Sequence, residues 1–240
     1  MSESVSLSGS LRVHDNTWLF RDISLSLHDE GWTCLLGPSG VGKTTVLRLL
    51  AGLETHGDFT GSIRTGSGSS MPECAYMAQQ DLLFPWLNVL ENVKLGARLR
   101  GEPVNADKAI EIISMVGLSN HSHKRPRELS GGMRQRVALA RTLMEERDLV
   151  LLDEPFSALD ARTRAEMQEL AHELLQHRTV LLVTHDPGEA ARLGDKIYIL
   201  NEQGLEQVEA KKQAQIAPAD GDETMRRQSF LLRQLRERVS

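Results

Sequence analysis

Cysteine is scarce in this chain: its 240 residues hold two, Cys34 and Cys74. They form no metal-ligand spacing, and Cys34 falls in an apolar run of strand character, so both are expected to be reduced thiols in a cytosolic protein. Aromatic residues are few, at 4%, against an ordinary 40% hydrophobic and 25% charged. No apolar run approaches the roughly 18 residues that a bilayer span needs. A basic excess is missing too. The net charge of −5 gives no global field to attract nucleic acid. The start, Met1-Ser2-Glu3-Ser4, lacks the basic and apolar regions of a signal peptide, which leads to the expectation of a chain that stays inside the cell. There is no internal repeat and no low-complexity tract.

What is present is concentrated in a few short runs. Gly37-Pro38-Ser39-Gly40-Val41-Gly42-Lys43-Thr44-Thr45 has the spacing of a phosphate-binding P-loop. The apolar run Thr33-Cys34-Leu35-Leu36 precedes it and the helix-forming run Val46-Leu47-Arg48-Leu49-Leu50-Ala51 follows it. Strand, glycine-rich turn and helix start are the context the motif requires. Glycines let successive backbone N–H groups turn inward around a polyanion, and the helix N-terminus adds partial positive charge. Lys43 can then reach the β- and γ-phosphates of such a ligand, and the Thr44 hydroxyl can ligate Mg²⁺.

Along the rest of the chain, residues 5–28 alternate apolar and polar twice and read as two strands around a turn at His14-Asp15-Asn16. The glycine- and serine-rich stretch from Gly61 to Ser70 reads as an exposed loop. Glu73 to Ala78 reads as a strand ending at Gln79-Gln80, and the pattern from Leu87 to Met115 is helical. Leu149-Val150-Leu151-Leu152 and Thr179-Val180-Leu181-Leu182-Val183-Thr184 are apolar runs of the kind buried on both faces of a parallel sheet. They are joined by a polar helix over 162–177, and two strands follow near 196–201 and 205–210. A helix is expected over 222–239.

Ligands of open α/β sheets collect at the carboxyl ends of the strands. Here three expected strands end in the P-loop, in Asp153-Glu154 and in His185. As sheet neighbours they would converge on one phosphate. Asp153 suits the Mg²⁺ shell, Glu154 suits orienting or deprotonating the attacking water, and His185 suits a hydrogen bond to the γ-phosphate. His121 and His123 have no partner set and read as surface residues. Ser130-Gly131-Gly132 opens a helix with two poor helix formers, each costing about 1 kcal/mol inside a helix relative to Ala. Bare backbone and a serine at a helix start make a second anion site. With two such sites in one chain, a nucleotide could be clamped between the P-loop of one copy and Ser130-Gly131-Gly132 of another.

Taken together, Gly37–Thr45, Gln79, Leu129–Gln135, Leu151–Pro155, Ser157-Ala158-Leu159-Asp160 and His185 resemble, in order, the Walker A, Q-loop, signature, Walker B, D-loop and H-loop of the nucleotide-binding subunit of ATP-binding cassette transporters. The resemblance covers roughly residues 5–210. It implies an α/β P-loop NTPase fold with a mainly parallel core sheet, an N-terminal antiparallel β subdomain and a helical subdomain at about 82–145. The whole of 1–240 would be one such domain, with a C-terminal helical extension over 211–240. It also implies a homodimer, head to tail, with two ATP molecules and Mg²⁺ at the interface. Gln79 would sense metal and water, Gln135 would join the Ser130-Gly131-Gly132 tip, and Asp160 would cross towards the partner's site. Adenine is stacked in the family on an aromatic residue of the first β-turn; His14 stands at that spacing, with Trp18 nearby.

Met133 after Ser-Gly-Gly, and Phe84-Pro85-Trp86, resemble importers of nitrate, taurine and sulfonates. Phe84, Pro85 and Trp86 would form the docking surface for a transmembrane permease, with a solute-binding protein acting indirectly and the subunit held at the inner face of the membrane. The terminal helix, with Arg226, Arg227, Arg233, Arg236 and Arg238, is expected to cap the domain. The rival is a cassette ATPase of DNA repair or translation, but such relatives carry two cassettes or long coiled-coil insertions. A P-loop kinase would leave Ser130-Gly131-Gly132 unexplained.

Overall fold

The computed structural model describes residues 5–13, 17–65, 73–210, 216–218 and 221–237. Strands β1 (Ser6–Val13) and β2 (Trp18–Ser26) precede β3 (Trp32–Leu36), which runs into the P-loop and α1 (Lys43–Leu50). Next come β4 (Gly57–Arg64), β5 (Cys74–Met77) and three helices, α2 (Val89–Val93), α3 (Leu95–Arg100) and α4 (Ala106–Met115). Helix α5 (Gly131–Met144) leads to β6 (Leu149–Asp153), α6 (Ala161–Leu174), β7 (Thr179–Thr184) and α7 (Pro187–Leu193). Strands β8 (Lys196–Asn201) and β9 (Gly204–Ala210) and helix α8 (Asp222–Glu237) close the chain.

The strands form two sheets, a three-stranded antiparallel one in the order β2-β1-β4 and a six-stranded one in the order β5-β6-β7-β3-β8-β9. The larger sheet is parallel except for its last strand. Side chains alternate faces along a strand, and β6 shows the consequence. Val150 and Leu152 join a core with Phe156, Met167 and Ala171, while Leu149 and Leu151 join one with Leu47, Leu50 and the antiparallel sheet. Strands buried on both faces can consist of unbroken apolar residues, which is why β6 and β7 read so clearly. A third core, with Val93, Ile113, Leu129 and Val137, holds the helical subdomain together.

Two expectations need correcting. Gly61 and its neighbours are strand β4 rather than loop as far as Arg64; residues 66–70 lie outside the described residues. The glycines of β4 serve close packing: a Cβ on Gly61 would sit 2.2 Å from the Ser8 carbonyl oxygen across the sheet. The helical stretch over 87–115 is three helices. It breaks at Lys94 and again at Gly101, whose φ of 70° ends α3 in a left-handed cap ahead of Pro103. Asn88 caps α2 through a reciprocal pair with Glu91, and Asn105 caps α4, so each piece has its own start signal. His14 and Arg238 lie outside the described residues.

Candidate active site

The sheet order settles the geometry. Strands β6, β7 and β3 are adjacent, so the carboxyl ends that carry Asp153-Glu154, His185 and the P-loop lie side by side. At the P-loop, Gly40 and Gly42 have φ of 83° and 105°, values that a side chain would strain. A Cβ on Gly37 would sit 2.2 Å from the Leu200 carbonyl oxygen of β8. Helix α1 has no acidic residue in its first turn, so no side chain of its own offsets the partial positive charge of its N-terminal N–H groups.

Lys43 is 4% exposed, and its ammonium donates to the carbonyls of Gly37 at 2.9 Å and Pro38 at 2.7 Å. Burial lowers its pKa, opposed by the negative charges of Glu154 and Asp153. Thr44 Oγ1 donates to Asp153 Oδ1 at 3.0 Å, and the Tyr76 hydroxyl donates to Asp153 Oδ2 at 3.0 Å. Burial raises the Asp153 pKa, and these two hydrogen bonds pull it back.

Glu154 is the centre of the site. Its Oε2 accepts from Gln79 Nε2 at 3.1 Å and lies 3.0 Å from His185 Nδ1, while its Oε1 faces Lys43 Nζ at 4.0 Å. The backbone that places it is unusual: φ at Glu154 is 46°, a left-handed value costing of order 1–3 kcal/mol at a non-glycine residue. The Glu154 N–H donates to Val183 O of β7 at 2.9 Å, which holds that turn at the strand end.

A second group of candidates lies apart. Ser130 caps α5, accepting from Met133 N at 3.3 Å, and Asp160 caps α6, accepting from Thr163 N at 3.1 Å. Among the described residues neither is hydrogen-bonded to the P-loop. Ser130, Gly131 and Asp160 are all exposed. The two signature glycines differ. A Cβ on Gly132 would meet Thr163 Cγ2 at 2.6 Å, so Gly132 lets α6 approach, whereas Gly131 has no such neighbour and leaves its backbone open to a ligand. Gln135 is buried; its Nε2 donates to Gln79 O at 3.4 Å, tying this helix to the Gln79 loop. A cleft of about 550 Å³ is lined by Gln79, Gly131, Gln135 and Ser157 among others.

Tyr76 escaped the sequence reading. Its strand was legible, but only the β5–β6 pairing, with Tyr76 opposite Leu151, brings its hydroxyl to Asp153. A lysine buried beneath a glycine loop, with two carboxylates beside it at the end of the next-but-one parallel strand, defines a P-loop nucleoside triphosphatase.

The comparisons narrow that class. The ABC transporter family model matches residues 20–157. An uncharacterized ABC transporter ATP-binding protein of Haemophilus influenzae is 50% identical over 76% of this chain and 75% of its own length. The aliphatic sulfonates import ATP-binding protein SsuB 1 of Rhodococcus jostii is 50% identical over 81% of this chain and 77% of its own. Among solved structures, the ATP-binding cassette MJ0796, a dimer in a post-hydrolysis state bound to ADP and Pi, matches with a TM-score of 0.73 at 25% identity, over 87% of this chain and 100% of that one. The chain belongs to the ABC transporter family, as an ATP-binding cassette that hydrolyses ATP. This decides against the repair or translation ATPase. No helix among the described residues is long and apolar enough to cross a membrane.

Proposed function

We propose that the chain powers the uptake of aliphatic sulfonates or closely related small oxyanions through a separate permease, as a head-to-tail homodimer at the inner face of the membrane. The observation that carries the catalytic half of this reading is the Glu154 carboxylate held among Gln79, His185 and Lys43, one residue after a second carboxylate bonded to Thr44. The solute class rests on relatives named for aliphatic sulfonate import, at 50% and 43% identity.

The donor set fits Mg²⁺. Thr44 and Asp153 bring a hydroxyl and a carboxylate together, with the Gln79 amide bonded to the neighbouring Glu154. Among the described residues no cluster of three or more His, Cys, Asp or Glu could cage a metal alone. Such a site suits a hard cation that keeps waters and substrate phosphates as ligands. When bound, Mg²⁺ and ATP supply a charge-neutralised γ-phosphoryl group. Thr44 and Asp153 would hold the cation, Tyr76 would orient Asp153, and the P-loop N–H groups would cradle the phosphates. Lys43 would exchange its carbonyl partners for phosphate oxygens. Glu154 would take a proton from water aligned by Gln79, and His185 would fix the carboxylate. Ser130 and Gly131 of the opposite copy would complete each site, with Asp160 and Gln135 supporting that face.

The docking surface is Phe84, Pro85 and Trp86. Trp86 is 62% exposed and Leu82 56%, while Phe84 packs edge-on against the Trp86 ring at 5.0 Å. Large exposed apolar side chains grouped in this way mark partner sites. Replacing Trp86 with Ala should weaken permease binding by about 2 kcal/mol or more, as for a buried aromatic anchor. The test is to capture permease with the tagged chain and follow ATP-driven sulfonate uptake into vesicles. Wild-type chain should capture permease and drive uptake, and the Trp86 variant should do neither while still binding ATP. Equal capture by both would remove this surface from the proposal.

A further inference from the structure

Helices α6 and α7 each begin at a residue of interest: Asp160 caps the first, and His185 immediately precedes Asp186, which caps the second by accepting from Gly188 N at 2.7 Å. One side chain spans the two starts. Arg164, one turn into α6, donates back to the Leu159 carbonyl at 3.0 Å and across to Asp186 Oδ2 at 3.4 Å. Its Nε lies 3.9 Å from Glu189 Oε1. Glu189 is buried, and its other oxygen accepts from Thr184 Oγ1 at 2.7 Å, the residue just before His185. Thr184 Oγ1 in turn accepts from Asp186 N at 3.0 Å, so the residues on both sides of His185 are held. Further along, buried Arg192 of α7 donates to Gln168 at 2.8 Å and to Glu169 at 2.5 Å, bracing the same two helices.

We propose that Arg164 is a positioning residue that locks the Asp160 loop to the His185 turn, so that His185 keeps its place 3.0 Å from Glu154 when a partner copy engages Asp160. The planar guanidinium suits this use because it reaches a carbonyl on one side and two carboxylates on the other. A shift of about 1 Å at His185 is enough to cost up to ~100-fold in rate. The inference rests on the catalytic and dimeric reading above, which has its own test in Glu154.

The experiment compares wild-type chain, Arg164→Gln and Arg164→Lys for thermal stability, nucleotide affinity, turnover and cooperativity in ATP. With Arg192 still bracing the helices, Arg164→Gln should remain folded and bind ATP within about twofold of wild type. Its turnover should fall roughly ten- to a hundredfold, with loss of cooperativity between the two sites. Lysine keeps a charge opposite Asp186 and Glu189 but cannot also hold the Leu159 carbonyl, so Arg164→Lys should fail to restore cooperativity. Cooperative, wild-type turnover in Arg164→Gln would overturn the proposal, as would full rescue by lysine or a fall in turnover matched by lost ATP affinity. Absence of ATP hydrolysis in the wild-type chain would instead count against the catalytic reading, and the two failures are thereby distinct.

Discussion

Replacing Glu154 with Gln should slow ATP hydrolysis by ~10²–10⁴-fold, the range spanned by a positioned general base, while ATP still binds and the closed dimer accumulates. The substitution is nearly isosteric. An amide retains an oxygen to accept from Gln79, which now donates to Glu154 Oε2 at 3.1 Å. What disappears is the negative charge 4.0 Å from Lys43 and the capacity to take a proton. Single-turnover hydrolysis measures the loss, and size-exclusion chromatography with ATP measures the dimer. Near-normal turnover would remove Glu154 from the centre of the mechanism.

Replacing Lys43 with Met should act earlier, on binding itself. The ammonium is held ready beneath the loop by the Gly37 and Pro38 carbonyls, at 2.9 and 2.7 Å, so little reorganisation precedes contact with phosphate. Loss of one preorganised electrostatic contact of this kind costs about 3–4 kcal/mol at the transition state. Turnover should therefore fall by ~10²–10³-fold, accompanied by a loss of ATP affinity that Glu154→Gln does not show. Calorimetric titration of the two variants side by side separates the roles. Unchanged affinity in the lysine variant would mean that the P-loop backbone alone carries the phosphates.

The residues that bear chemistry were largely legible in the sequence because backbone geometry demands them. A loop with φ of 83° and 105° needs Gly40 and Gly42, and doubly buried strands need the unbroken apolar runs of β6 and β7. The convergence of Asp153, Glu154, His185 and the P-loop depended on sheet order, which local pattern does not encode; the order β6-β7-β3 supplies it. Strand β4 was misread because only Phe59 and Ile63 among its side chains pack against the core, and its glycines serve contact with β1 rather than a turn. Tyr76 and Arg164 act through partners 77 and 22 residues away in the chain, at Asp153 and Asp186, so neither carries a local signal. Trp86, an apolar residue that could have belonged to the core, proves to be exposed.

The central claim is that each ATP is shared between the P-loop of one copy and the Ser130-Gly131 tip of another. Both ends are exposed at Ser39 and Ser130, while Cys34 is buried and Cys74 partly so. In the Glu154→Gln background, one tagged copy carrying Ser39→Cys and a second carrying Ser130→Cys can be mixed and oxidised with and without ATP. The account predicts a mixed disulfide-linked dimer that forms with ATP and not without it. Failure to cross-link when ATP is bound, or cross-linking indifferent to ATP, would contradict it.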